Sequence, residues 1–141
     1  MRNAAVGFLM LFTVAAPARA QQPGDDPIAQ ALFPPELIMK YQEDVGLDEA
    51  QARAIKEVIQ QAQTRFLEMQ WQMQAESAKL VKLLNARPTD EAAVLAQLEK
   101  MLNTEREVKR TQISLLIRIK NRLTDAQLAR LAELRKKDAR P

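Results

Sequence analysis

The stretch DEAQARAIKEVIQQAQTRFLEMQWQMQAESAKLVKLLN, residues 48–85, contains neither proline nor glycine. It predicts a single helix, roughly 55 Å long at ~1.5 Å per residue. Along it Ile55, Ile59, Ala62, Phe66, Met69, Met73, Glu76, Leu80 and Leu83 recur in steps of four and three. Such a seam suits packing against a second helix, with one acidic interruption at Glu76. Asn85-Ala86-Arg87-Pro88 ends the run. Thr89 or Asp90 then caps a new helix, and Asp90 and Glu91 suit the positive end of its dipole. That helix should span about 90–121, with an apolar stripe of Val94, Leu95, Leu98, Met101, Leu102, Val108, Leu115, Leu116 and Ile119. The polar run Asn103-Thr104-Glu105-Arg106-Glu107 interrupts it. So short a break between two long helices argues for an antiparallel hairpin.

Two copies of one local pattern flank the hairpin. Leu47-Asp48-Glu49-Ala50-Gln51 recurs as Leu123-Thr124-Asp125-Ala126-Gln127. Each reads as a helix start: Asp48 or Thr124 accepts an amide hydrogen bond as N-cap, and Gln51 or Gln127 reaches back to the cap's own N–H. The preceding leucine can staple to the fourth helical residue, a better fit for Leu123 with Leu128 than for Leu47 with Ala52. The final helix carries Leu128, Leu131 and Leu134 on one side and ends in Arg135-Lys136-Lys137, which suits a C-terminus. Upstream, Asp26-Pro27 starts a short turn of helix through Phe33. Pro34-Pro35 interrupts it, and Pro35 opens another short helix to about Val45, stopped by Gly46. The expected fold is all-α with four helices: a long antiparallel hairpin with short flanking helices.

Length and composition agree. A chain of 141 residues fits one domain, and few aromatic or β-branched residues favour helix. The absence of cysteine and histidine excludes disulfides, thiolate chemistry and any imidazole ligand or base. Met1-Arg2-Asn3 followed by the apolar run Ala4–Ala16 and Ala18-Arg19-Ala20 reads as a secretory signal peptide, residues 1–20, cleaved after Ala20. The run is too short to span a bilayer comfortably, so no stable membrane insertion is expected after cleavage. Residues 21–34 read as a mobile linker, and 35–141 as the helical domain. Residues 21–141 hold 19 basic and 18 acidic groups, a balance that gives no support to nucleic-acid binding. The distribution is uneven: residues 21–99 are net −6 and residues 100–141 net +7.

Two features exceed what a plain hairpin needs. The first long helix has a second stripe of Leu67, Trp71, Ala75, Ala78 and Val81, with Trp71 farthest from the main seam. In the second, Ile113, Leu115, Leu116, Ile117 and Ile119 crowd five large aliphatics into seven residues, too many to face one partner. A helix that is apolar on two sides is buried on two sides or keeps one for a partner.

A leader, an all-helical chain of this size and two boxes of the Leu-Thr-x-x-Gln type together resemble the Spy/CpxP family of periplasmic stress chaperones and related metal-resistance and metal-sensor proteins. Leu123, Thr124 and Gln127 match the family motif, and Leu47, Asp48 and Gln51 match it with Asp for Thr, a substitution that keeps the cap. The resemblance implies a curved homodimer in the periplasm that holds unfolded or aggregation-prone clients without ATP, on a surface mixing apolar and basic residues. Leu67, Trp71, Ile113 and Ile117, with Arg110, Arg118, Lys120 and Arg122, supply material for such a client or dimer surface. The alternative it implies is a sensor or adaptor that binds the periplasmic domain of a sensor kinase in an envelope-stress or metal-resistance system.

The chemistry of other classes is missing. Without His or Cys the usual nickel, cobalt, zinc or copper sites cannot be built from those ligands. Met69 and Met73 lie one turn apart but on the seam, and read as packing rather than as metal ligands. No metal or other cofactor is expected. Two serines, no histidine and no glycine-rich phosphate loop leave no catalytic set, so the chain reads as a non-enzyme.

Overall fold

A computed structural model describes residues 27–139, all helix and connecting turns. The expected leader and its cleavage point lie outside the described residues. Five helices follow in order: α1 (Pro27–Ala31), α2 (Pro35–Lys40), α3 (Glu49–Asn85), α4 (Glu91–Lys120) and α5 (Asp125–Asp138). The two long ones, α3 and α4, pack along one another as the antiparallel hairpin, and α1, α2 and α5 gather at its base.

The caps decide the boundaries. Asp48 and Thr124 close full capping boxes with Gln51 and Gln127, so α3 and α5 start where the two pentapeptides place them. Between the long helices Asp90 is the cap, accepting from the Ala93 amide at 3.1 Å. Thr89 instead donates its hydroxyl to the Ala86 carbonyl at 2.9 Å and closes the turn. Helix α2 stops at Lys40, short of the expected Val45. Tyr41 leaves helical geometry at φ −111°, ψ 20°, and the chain reaches Leu47 through successive turns. Gly46 supplies the stop in a left-handed conformation, φ 64°, where its missing Cβ removes the steric penalty.

The main core cluster among the described residues occupies the base. Phe33, Ile38, Val45, Ile55, Val58, Ile119, Leu123, Leu131 and Leu134 form one buried cluster, with Leu37, Leu47, Leu115 and Leu128 against its edges. Past Ala62 and Leu115 the hairpin is two helices thick. The seam therefore differs from the expected one. The α3 residues that are fully covered are Ile55, Val58, Ala62 and Met69, while Phe66, Met73, Leu80 and Leu83 stay half-exposed because no third helix covers their flank.

The α4 stripe needs a larger correction. Leu95, Leu98 and Leu102 face solvent, and the buried residues facing α3 in that region are Gln97 and Thr104. These two meet the acidic interruption of the other helix. Thr104 Oγ1 donates to Glu76 Oε2 at 3.0 Å, and Gln97 Nε2 donates to the Glu76 carbonyl at 3.0 Å. The two interruptions read separately in the sequence are one polar layer across the hairpin, which fixes its register because each buried polar group has its partner there.

The N-terminal part of the fold is held by cations. Arg135 donates to the carbonyls of Ala29, Gln30 and Leu32, and stands 4.5 Å from the Phe33 ring centroid. Lys120 donates to the Ala31 carbonyl at 3.0 Å. These side chains occupy the C-terminal carbonyls of α1, an end where positive charge is favoured. Within the segment expected as a linker, α1 from Pro27 onward meets these cations, and Leu32 and Phe33 are buried.

A second tether joins α2 to α5. Lys40 pairs with Asp138 at 2.8 Å, and the Tyr41 hydroxyl donates to the same carboxylate. The Lys40 hydrogen bond, then that of Tyr41, holds the Asp138 carboxyl below its ordinary range, and Lys40 is raised chiefly by the same bond. A carboxylate lowered by folding stabilises above its ordinary pKa and loses that contribution as pH falls through the folded value. A raised lysine contributes below its ordinary pKa and loses its contribution as pH rises through the folded one. The tether is therefore expected to hold between about pH 4 and about pH 10 and to open in acid as Asp138 protonates. Tyr41 ring resonances followed by NMR should shift below about pH 4 in the native chain. A flat response in Asp138→Asn, and an acid transition in the parent, would assign the shift to this contact.

Candidate functional site

Two kinds of surface carry the expected functional residues: the paired boxes at the base and the uncovered flanks of the hairpin. At the base the boxes interlock. Gln51 accepts from the Asp48 amide at 3.2 Å, and Gln127 from the Thr124 amide at 2.9 Å, each closing its own box. Each also reaches across. Gln51 Nε2 donates to Gln127 Oε1 at 2.8 Å and to the Arg122 carbonyl at 2.8 Å. Gln127 Nε2 donates to Gln51 Oε1 at 3.0 Å and to the Gly46 carbonyl at 3.2 Å. Arg122 and Gly46 are the residues just before Leu123 and Leu47, so the contacts are reciprocal, as if related by a local two-fold axis. Leu47 and Leu123 pack in or against the core beneath. Six residues singled out as capping motifs therefore form one clasp joining the N-termini of α3 and α5.

The apolar candidates divide into two places. Trp71 is 67% exposed and Leu67 55%, both on the side of α3 turned away from α4. Ile117 is 44% exposed and Ile113 38%, on the outward side of α4, while Leu115 and Ile119 turn to the core. The crowded aliphatic run does face two ways, and the short helices cover neither outward patch. Within this chain the Trp71 and Ile113/Ile117 patches are not one surface, since they lie on the outer sides of different helices.

The four basic candidates have separate situations. Arg110 is exposed, 3.8 Å from Glu107. Arg118 reaches over the hairpin interface to Gln61 Oε1 at 2.9 Å. Lys120 is engaged with the Ala31 carbonyl of α1. The Arg122 side chain is exposed, while its carbonyl belongs to the clasp.

Two grooves along the hairpin were not foreseen. Met69, almost completely buried, faces α4. At about 100° per residue, Phe66 and Met73 fall to one side of it and Arg65 and Gln72 to the other. On the first side an open apolar groove of about 740 Å³ is lined chiefly by Phe66, Met69, Met73, Ala78 and Val108. On the other side Arg65, Arg110 and Arg118 line a polar groove. The apolar groove had a signal in the sequence: Phe66 and Met73 belong to the α3 seam, and α4 contributes only Val108 to the lining. The arginine groove had none, because Arg65 and Arg118 come together only once the register is known.

Among the described residues no group of three or more His, Cys, Asp or Glu is placed to hold a metal ion, and no helix is long and apolar enough to cross a membrane. The model of a family described as heavy-metal resistance matches residues 4–130. No curated protein and no solved structure matches the chain.

Proposed function

Because this chain belongs to the heavy-metal resistance family, we propose that it serves metal resistance by binding protein rather than by sequestering metal. In this reading it is exported to the periplasm and, without ATP or catalysis, holds unfolded or aggregation-prone clients as a homodimer. The observation that carries the reading is the exposure of large apolar side chains, above all Trp71 and Leu67 on α3 and Ile113 and Ile117 on α4, along a hairpin whose buried cluster, among the described residues, sits at its base. A soluble chain that leaves a tryptophan two-thirds exposed beside a leucine one turn away has a patch suited to a partner. The composition bears on the alternative of direct metal capture, since a chain without His or Cys lacks the commonest ligands for soft and borderline metals.

The test is aggregation of a chemically unfolded model client, followed by light scattering, with the chain from Gln21 added without ATP. Suppression beyond that of an unrelated helical protein of similar charge is expected. Trp71→Glu and Ile117→Glu should each weaken suppression or dimerisation, the latter measured by sedimentation. Helicity should change little, because both side chains lie outside the core. Undiminished holding and dimerisation in both variants would remove the basis of the reading.

A second reading draws on the net +7 of residues 100–141: a periplasmic adaptor whose basic portion meets an acidic sensor domain. Arg118→Glu with Arg122→Glu would then alter basal stress signalling in cells while leaving client holding in place. The clasp should survive that change, since Arg122 joins it through its carbonyl.

A further inference from the structure

Arg65 of α3 and Arg110 and Arg118 of α4 line one groove of about 310 Å³ together with Gln61, Thr111 and Ser114, and no carboxylate is among its lining residues. The Arg118 guanidinium makes no ion pair among the described residues; its Nη2 donates to the neutral Gln61 side chain. Arg65 and Arg110 have only exposed partners one turn away on their own helices, Glu68 at 3.2 Å and Glu107 at 3.8 Å. Pairs of that kind contribute little and exchange readily for a better-placed anion. Positive charge is therefore concentrated in this stretch of the interface, while the adjoining cavity beyond Arg65 is lined by Glu76 and Glu107 as well as Lys100.

The spacing says what shape of anion fits. Arg110 and Arg118 stand about 12 Å apart along α4 at ~1.5 Å per residue. The Gln61–Arg118 contact fixes the register, so Arg65, one turn farther along α3, sits across from the interval between them. The three arginines thus enter the groove at successive levels along its length, a row that a linear anion can follow. The lining offers guanidinium forks and hydroxyls, which match oxyanions with several acceptor oxygens. It offers an extended peptide little: helix backbone amides are already bonded, so no strand can be added, and Ala62 and Leu115 are its only apolar members.

We propose that this groove is a binding site for a linear phosphate-bearing polyanion, with Arg65, Arg110 and Arg118 each holding separate phosphate groups. The phosphates belong either to a soluble polyphosphate or to lipid headgroups presented in a row. The site uses none of the four apolar residues on which client holding is proposed to rest, Leu67, Trp71, Ile113 and Ile117.

Isothermal titration of the chain from Gln21 with linear polyphosphate tests it. Arg110→Gln with Arg118→Gln is expected to weaken binding about tenfold or more. Lys79→Gln with Lys82→Gln removes the same charge from the far end of α3 and should change affinity by no more than about threefold. Circular dichroism establishes that both variants remain helical. Flotation with phosphatidylcholine vesicles, with and without phosphatidic acid, separates the sources. Binding to the acidic vesicles but not to free polyphosphate assigns headgroups, and binding to free polyphosphate assigns the soluble ligand. Equal loss in the two double variants would reduce the site to diffuse electrostatics. Oligoglutamate of equal charge binding as tightly as polyphosphate would overturn the phosphate assignment, as would binding to neither probe.

Discussion

Leu131→Ala is expected to lower the unfolding free energy by about 2–5 kcal/mol, the range for emptying a fully buried leucine site. Leu131 is 0% exposed and lies in the cluster that joins α2, α3, α4 and α5. Small domains have only about 5–15 kcal/mol in total, so this single change removes a large share. The architecture makes the loss more severe, because the distal hairpin has no second core to fall back on. Leu95→Ala and Leu102→Ala, on the exposed side of α4, should by contrast stay within about 0.5 kcal/mol. Urea denaturation followed by circular dichroism reads all three. A similar midpoint shift for Leu131 and Leu95 would mean that the stabilising core is not confined to the base. Clear separation would show that the arm is held by its register contacts and its connection to the base, leaving its apolar surface free for binding.

The contrast between base and arm also explains what was legible in the sequence. Helix existence and most boundaries were, because they are set by short-range chemistry: Asp48, Asp90 and Thr124 cap where their side-chain oxygens reach amides three residues on, and Gly46 stops the chain where φ turns positive. The direction each helix face takes was legible only where many elements converge. Ile55, Leu131 and Leu134 are buried as their periodicity implies. On the arm, periodic leucines gave a false reading, since Leu95, Leu98 and Leu102 are apolar yet uncovered. Hydrophobicity marks a potential interface without saying whether its partner lies within the chain. The polar layer shows the opposite error. Glu76 was visible as a fault in one seam and Thr104 as part of a polar interruption in another, yet their pairing depends on folding the hairpin about Pro88. Glu76 precedes that proline by as many residues as Lys100 follows it, so the matching turn of α4 was available from register alone. The arginine groove needed the same register plus the side-chain reach of Arg118, which no local pattern encodes.

The clasp yields the second large effect, and it turns on why both boxes carry glutamine. A capping box needs only an acceptor at its third position, and glutamate serves as well as glutamine there. In α3 and α5 each glutamine also donates through Nε2, to the opposite glutamine and to a backbone carbonyl. A carboxylate at the same position keeps the box but has no proton to give. Gln127→Glu is therefore expected to cost about 1–3 kcal/mol, from the loss of the donor that reaches the Gly46 carbonyl and Gln51 Oε1 in a largely buried site. An isolated box would instead make it neutral or slightly favourable, since a negative charge suits the first turn of α5. Gln127→Ala should cost at least as much, about 2–3 kcal/mol, because box and clasp go together. Gln51→Ala should cost about 1–2 kcal/mol, its site being less buried. The double alanine variant should then fall short of the sum by about 0.5–2 kcal/mol, as the bonds between the two amides are lost in either single variant. Chemical denaturation of the parent, both single variants and the double variant measures that coupling. Strict additivity together with a neutral Gln127→Glu would mean that the two boxes cap their helices independently. A coupling in the expected range would make Leu-x-x-x-Gln at both places a single device: two local helix starts, 76 residues apart in the chain, that close the base of the hairpin only when both are formed.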